Sequence, residues 1–132
     1  MSFTLYFQAY KNGIETPINI NQLVECFGQF VTEQNENGFK VEYNKTNSCF
    51  ISIDLDKKQV DHFSIDRPCA DIKLYNSIFE VAKICNLVQM EPDFDGFNIF
   101  ETSTKLHLSE ELLKMNIVSY DSPKTYMNRH ND

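Results

Sequence analysis

The chain reads as an α+β protein: a single antiparallel-rich sheet, in the element order β-α-β-β-β-α-β, with helices packed on it. Three observations predict this. Phe3, Leu5, Phe7 and Ala9 alternate with Thr4, Tyr6 and Gln8, the signature of a half-buried strand. Three more alternating runs follow over residues 39–66 with only short turns between them, which favours antiparallel hairpins. Two other segments, about 20–33 and 69–86, place their apolar residues at helical spacing instead.

Each element has a local reason. Lys11, Asn12 and Gly13 end the first strand. Asn19, with Gln22 three residues later, makes a start that resembles a capping box, and Leu23, Phe27, Phe30 and Val31 carry an apolar stripe to about residue 33. The sequence Asn-Glu-Asn-Gly at 35–38 is a turn. Phe39, Val41 and Tyr43 make a short strand, and Cys49, Ile51, Ile53 and Leu55 a second. A turn over 56–59 leads to the third, Val60 to Asp66. Over 69–86, Ile72, Tyr75, Phe79 and Ala82 form one stripe with Leu74, Ile78, Val81 and Cys85 beside it. So broad an apolar surface predicts a helix deeply packed on the sheet, with Pro68 pre-set for its first turn. Residues 87–90 are expected as a strand and 97–101 as a weaker one. Ser109 caps a short helix, with Glu110 and Glu111 where the helix dipole favours acids. Residues 117–120 form a last strand, and Ser122-Pro123 opens a terminal helical turn, beyond which the polar tail from about 124 to 132 is expected to fray.

The length of 132 residues, with no linker-like stretch, fits one domain over 1–132. Eleven Phe and six Tyr within a 42% hydrophobic composition are enough to fill one core. The first residues lack the basic and apolar regions of a signal peptide, and no run approaches a membrane span, so a cytoplasmic location and no membrane partner are expected. A formal charge of −7 argues against nucleic-acid binding, which needs a basic stripe. Cys26, Cys49, Cys69 and Cys85 form no C-x-x-C pair and read as free, largely buried thiols.

Four features bear on chemistry. Cys69 lies between Arg67 and Asp71 at a strand-to-helix handover, where a helix terminus and an arginine would lower its pKa. Asp66 and Asp71 oppose that, and a base would have to be His62 or His107, so the segment reads first as a turn that launches the helix. Glu91, Asp93, Asp95 and Gly96 match the start of a calcium loop, but the twelfth position is Thr102 rather than glutamate. His62, His107 and His130 share no metal-ligand spacing, so no metal and no cofactor are expected. From Glu91 to Glu111, six carboxylates oppose Lys105 alone, which accounts for −5 of the total −7, and Phe94, Phe97 and Phe100 are interleaved with them. Acids with aromatics suit an interface for a basic protein partner, with Glu91, Asp93, Asp95 and Glu101 in the lead.

The opening Met-Ser-Phe-Thr-Leu-Tyr and the run Arg67-Pro68-Cys69-Ala70-Asp71 leading into a helix resemble a group of small uncharacterised bacterial proteins. An Asn86-Leu87-Val88 strand ending at Pro92, and the later His107-Leu108-Ser109 step, extend the likeness over nearly the whole chain. Such proteins are similar to the immunity proteins of bacterial toxin systems, including those of contact-dependent growth inhibition. Ala70 stands where glycine is usual, Tyr75 where tryptophan is common, and the C-terminal helix looks short. The resemblance implies a cytoplasmic, non-catalytic protein that binds and neutralises a cognate toxin. A nuclease domain fits best, because a nuclease is basic where it holds phosphate. The alternatives are a small thiol enzyme or redox sensor using Cys69, and a small-ligand-binding domain.

Overall fold

The first strand, β1 (Thr4–Lys11), lies at the centre of the sheet. A computed structural model of the chain describes residues 3–90 and 96–131. β1 is antiparallel to β7 (Gln59–Asp66) on one side and to β8 (Asn86–Met90) on the other. Beyond β7 the sheet continues through β6 (Asn47–Asp56) and β5 (Gly38–Asn44) to β4 (Val31–Asn35). Beyond β8 lie β9 (Gly96–Ile99) and β10 (Asn116–Ser119), the last running parallel to β9. The architecture is therefore α+β with a mostly antiparallel, open sheet.

The observed element order has strands that the periodicity did not announce. The Asn12-Gly13 dipeptide favours a tight hairpin, and β2 (Ile14–Thr16) folds back on β1 there. β3 (Ile18–Asn19) then pairs with β7, so the two short strands fill the gap where β1 and β7 diverge. The helix expected to reach about residue 33 stops early. α1 (Ile20–Phe27) starts as predicted, with the Asn19 side chain accepting from the Asn21 and Gln22 N–H groups. It ends because Gly28 takes φ +59, a left-handed conformation in which its N–H caps Val24 and Glu25. After one 3-10 turn at Gly28–Phe30, the chain leaves as β4. Phe30, which extended the apparent helical stripe, packs on Tyr43 instead, with ring centroids 4.8 Å apart.

α2 (Ile72–Ile84) begins three residues later than its apolar pattern implied. Asp71 is its N-cap and accepts from the Lys73 N–H at 2.9 Å. Arg67, at φ +52, turns the chain first, so Pro68 and Cys69 belong to the turn and not to the helix. Leu74, Tyr75, Ile78 and Val81 of α2 are fully buried against Leu5, Phe7, Ile51, Phe63 and Ile65 of the sheet. α3 (Glu110–Leu113) is the short helix capped by Ser109.

Where the polar tail was expected to fray, Pro123–Asn131 form a helix, α4, that packs on α2, and Asp132 lies outside the described residues. Its anchor is Tyr126, fully buried between Tyr75, Phe79, Phe100 and Tyr120. The Tyr126 hydroxyl donates to Gln89 Oε1 at 2.7 Å, and the Asn98 amide donates to the same oxygen at 2.7 Å. The C-terminal packing is thus present despite the short helix.

The two faces of the sheet are treated unequally. α1, α2 and α4 cover one face of its central strands. On the other, a small second core of Tyr10, Val88, Phe97, Ile99 and Leu108 lies at the β1–β8–β9 end, beneath the 3-10 turn Thr102–His107 and Leu112 of α3. Over β5, β6 and β7 that second face is open.

Candidate functional site

The open face takes its side chains from the alternate positions of the strands. Because Leu5, Phe7, Phe39, Val41, Cys49, Ile51, Phe63 and Ile65 turn to the core, Thr4, Tyr6, Gln8, Lys40, Glu42, Phe50, Ser52 and Ser64 turn outward. Register aligns Met90, Tyr6, Ser64, Ser52 and Gly38 in one row across five strands. The small residues in the middle of that row leave a shallow trough between two aromatic rings. Tyr6 is 46% exposed and Phe50 38%, high values for aromatic side chains in the body of a sheet. The Phe50 ring lies over Gly38, where a Cβ would come 2.8 Å from Cε2.

Five carboxylates and one cation, Lys40 cross-strand from Phe50, are distributed around this face. Glu15, Glu42, Asp54, Asp61 and Asp66 are all exposed, and Thr4 Oγ1 donates to Asp66 Oδ1 at 2.9 Å. A β-bulge explains the tightest grouping. Ile53 pairs with Phe63 and Leu55 with Val60, so Asp54 alone faces both Asp61 and His62. The extra residue turns two consecutive side chains of β7 outward, and His62 Nδ1 lies 3.8 Å from Asp54 Oδ2.

Beside Tyr6 the face deepens into a slot of about 220 Å³, walled chiefly by Tyr6, Tyr10 and Met90. It leads to a hollow of about 340 Å³ bounded by Thr16, Pro17, Asp54 and Asp61, and Gln8, Glu15 and His62 line both. A separate cleft of about 440 Å³, where β1, β3 and β8 meet the start of α1 and the end of α2, includes the amides Asn19, Gln22, Gln59 and Asn86 in its lining.

The residues singled out from the sequence are placed differently. Glu91, Asp93, Phe94 and Asp95 lie outside the described residues, while Gly96, the sixth position of the calcium-like loop, begins β9. Glu101 is exposed beside a cleft of about 520 Å³ that also includes Lys83 and Asp121, on the α2 side of the sheet. Glu110 and Glu111 are exposed on α3, which covers the opposite face. Phe97 and Phe100 are core residues and not surface anchors.

Cys69 is buried, and its neighbour is another thiol: its Sγ lies 3.7 Å from Cys49 Sγ. The S–H bond that Cys69 gives to Cys49, and then burial, push the Cys69 thiol well up from its ordinary range. Cys49, which accepts that bond, is lowered by it. Burial first, with nearby acids, holds Cys26 up at about 11. Neither histidine weighed as a base for Cys69 is engaged with it. His62 stands on the open face, and His107 Nδ1 accepts from the Asn12 N–H at 3.2 Å. Among the described residues, no three His, Cys, Asp or Glu side chains are grouped to hold a metal ion. No described helix is long and apolar enough to cross a membrane.

The open face was missed because its acids are scattered through the chain, from Glu15 to Asp66, and only the sheet gathers them. One signal was available: a tyrosine at the solvent side of the first alternating strand. No protein-family model matches the chain, and no match was found to a curated protein or to a solved structure.

Proposed function

We propose that the protein is a non-catalytic inhibitor of the immunity type, which binds a basic toxin domain and blocks it. One observation carries this reading: an uncovered sheet face with two exposed aromatic rings, where five exposed carboxylates outnumber the one lysine, Lys40. Aromatic side chains make the strongest anchors at protein interfaces, and a rim of one charge speeds encounter with a partner of the other. A nuclease suits the acidic face, since its own site must be basic to hold phosphate. Glu91, Asp93, Asp95 and Glu101 form the competing surface drawn from the sequence.

The test uses the tagged full chain to capture a partner from lysate of the organism that encodes it. The expected partner is a basic protein that is lost at high salt, toxic when expressed alone and harmless when co-expressed. A partner that is harmless alone, or no salt-sensitive partner at all, overturns the reading. Asp54→Lys with Asp66→Lys, set against Asp93→Lys with Glu101→Lys, then identifies which surface sets the association rate. A second reading, a dithiol redox sensor, rests on the 3.7 Å contact between Cys49 and Cys69.

A further inference from the structure

We propose that the slot beside Tyr6 and the hollow behind it receive a single lysine or arginine side chain of the basic partner, an inference that rests on the binding function above. The two hollows differ in character and share one boundary, formed by Gln8, Glu15 and His62. The slot is walled by the side chains of Tyr6, Tyr10 and Met90, which suit a hydrocarbon stem. The hollow presents Glu15, Asp54 and Asp61, which suit a cationic head. Lysine and arginine are the side chains that join those two chemistries in that order. Tyr6, the exposed ring beside the slot, attracts the same cation.

Other occupants fit less well. An anion would meet three carboxylates, and none of the lining residues is a lysine or arginine. A neutral apolar group would fill the slot and leave the acids without a partner. Nor does the site demand that charges be stripped of water in advance. Asp54 and His62 keep 59% and 57% of their side chains exposed, so a long side chain can complete its ion pairs at the rim with little desolvation penalty. The bulge gives the hollow its shape, because a regular β7 would turn only one of Asp61 and His62 outward.

The inference is tested by titrating isotope-labelled protein with N-acetyl-arginine methylamide, and with its neutral citrulline counterpart as control, while amide chemical shifts are followed. Saturable shifts are expected at Tyr6, Gln8, Tyr10, His62 and Phe63 with the arginine probe and not with citrulline. Asp54→Asn combined with Asp61→Asn, both exposed positions, should weaken the arginine probe about fivefold, the scale of two exposed ion pairs. Shifts that never saturate, that spread over all acidic surfaces, or that the double variant leaves unchanged would overturn the proposal. The captured partner separates this failure from that of the function. If it binds the double variant as tightly as the parent, the slot is not its contact and the inhibitor function stands. If no partner is captured yet the probe saturates, the inhibitor function falls and the cation site stands.

Discussion

Replacing Tyr126 by alanine asks whether the last helix is part of the fold. The side chain is fully buried and meets four aromatic rings of the core, and its hydroxyl bonds to Gln89. Truncating a buried aromatic residue destabilises a protein by roughly 3–5 kcal/mol, through lost burial and the cavity left behind. The lost hydrogen bond adds about 1 kcal/mol, and Gln89 Oε1 still accepts from Asn98, so no new orphaned acceptor is created. A total near 5 kcal/mol, divided by a urea dependence of about 2 kcal/mol per molar, lowers the unfolding midpoint by about 2.5 M. Tyr126→Phe keeps the ring and should lower it by about 0.5 M. Urea unfolding followed by far-ultraviolet circular dichroism measures both. If Tyr126→Ala moves the midpoint no more than Tyr126→Phe does, the helix contributes nothing and the frayed tail expected from its polar sequence is the correct description.

Two further outcomes follow from the sheet and the thiol pair. Gly38 adopts φ +149, and a Cβ there would overlap the Ile51 carbonyl oxygen and the Phe50 ring, so Gly38→Ala should lower the melting temperature by at least about 6 °C. An unchanged melting temperature would contradict the β5–β6 register. Cys69, buried and hydrogen-bonded to Cys49, should react with iodoacetamide at least about tenfold more slowly in the native protein than in urea. A native rate equal to that of a free thiol would favour the dithiol sensor over the inhibitor.

What could be read from the sequence was whatever repeats locally. The alternation in β1, β5, β6 and β7 and the apolar stripe of α2 each follow from neighbouring residues, and the sequence shows them directly. The end of α1 was not legible. Phe30 and Val31 continue a helical spacing by chance, and the decision belongs to Gly28, whose backbone leaves the helix first. α4 was illegible for the opposite reason: its stability comes from one tyrosine inserted among rings drawn from α2, Phe100 and Tyr120, none of which its own polar sequence reveals. The Cys49–Cys69 contact joins a strand to a turn across a hairpin, so counting cysteine spacings could not find it. For the candidate site, the outward direction of Tyr6 was visible in the alternation of β1. The grouping of Glu15, Asp54, Asp61 and His62 was not, because it depends on a hairpin arm and a bulge that break the alternation.

The central position of β1 also bears on how the chain reaches this structure. Thr4 bonds to Asp66, 62 residues onward, and the Asn86 side chain reaches back to Tyr10 across 76. β1, synthesised before either, must therefore wait for both of its neighbours. Contact order of this kind places folding in the millisecond-to-second range and not in microseconds. During that wait both edges of β1 are open, and Leu5 and Phe7 have nothing to bury against. Refolding yield at high concentration, rather than the stability of the finished fold, is where this topology makes the protein vulnerable.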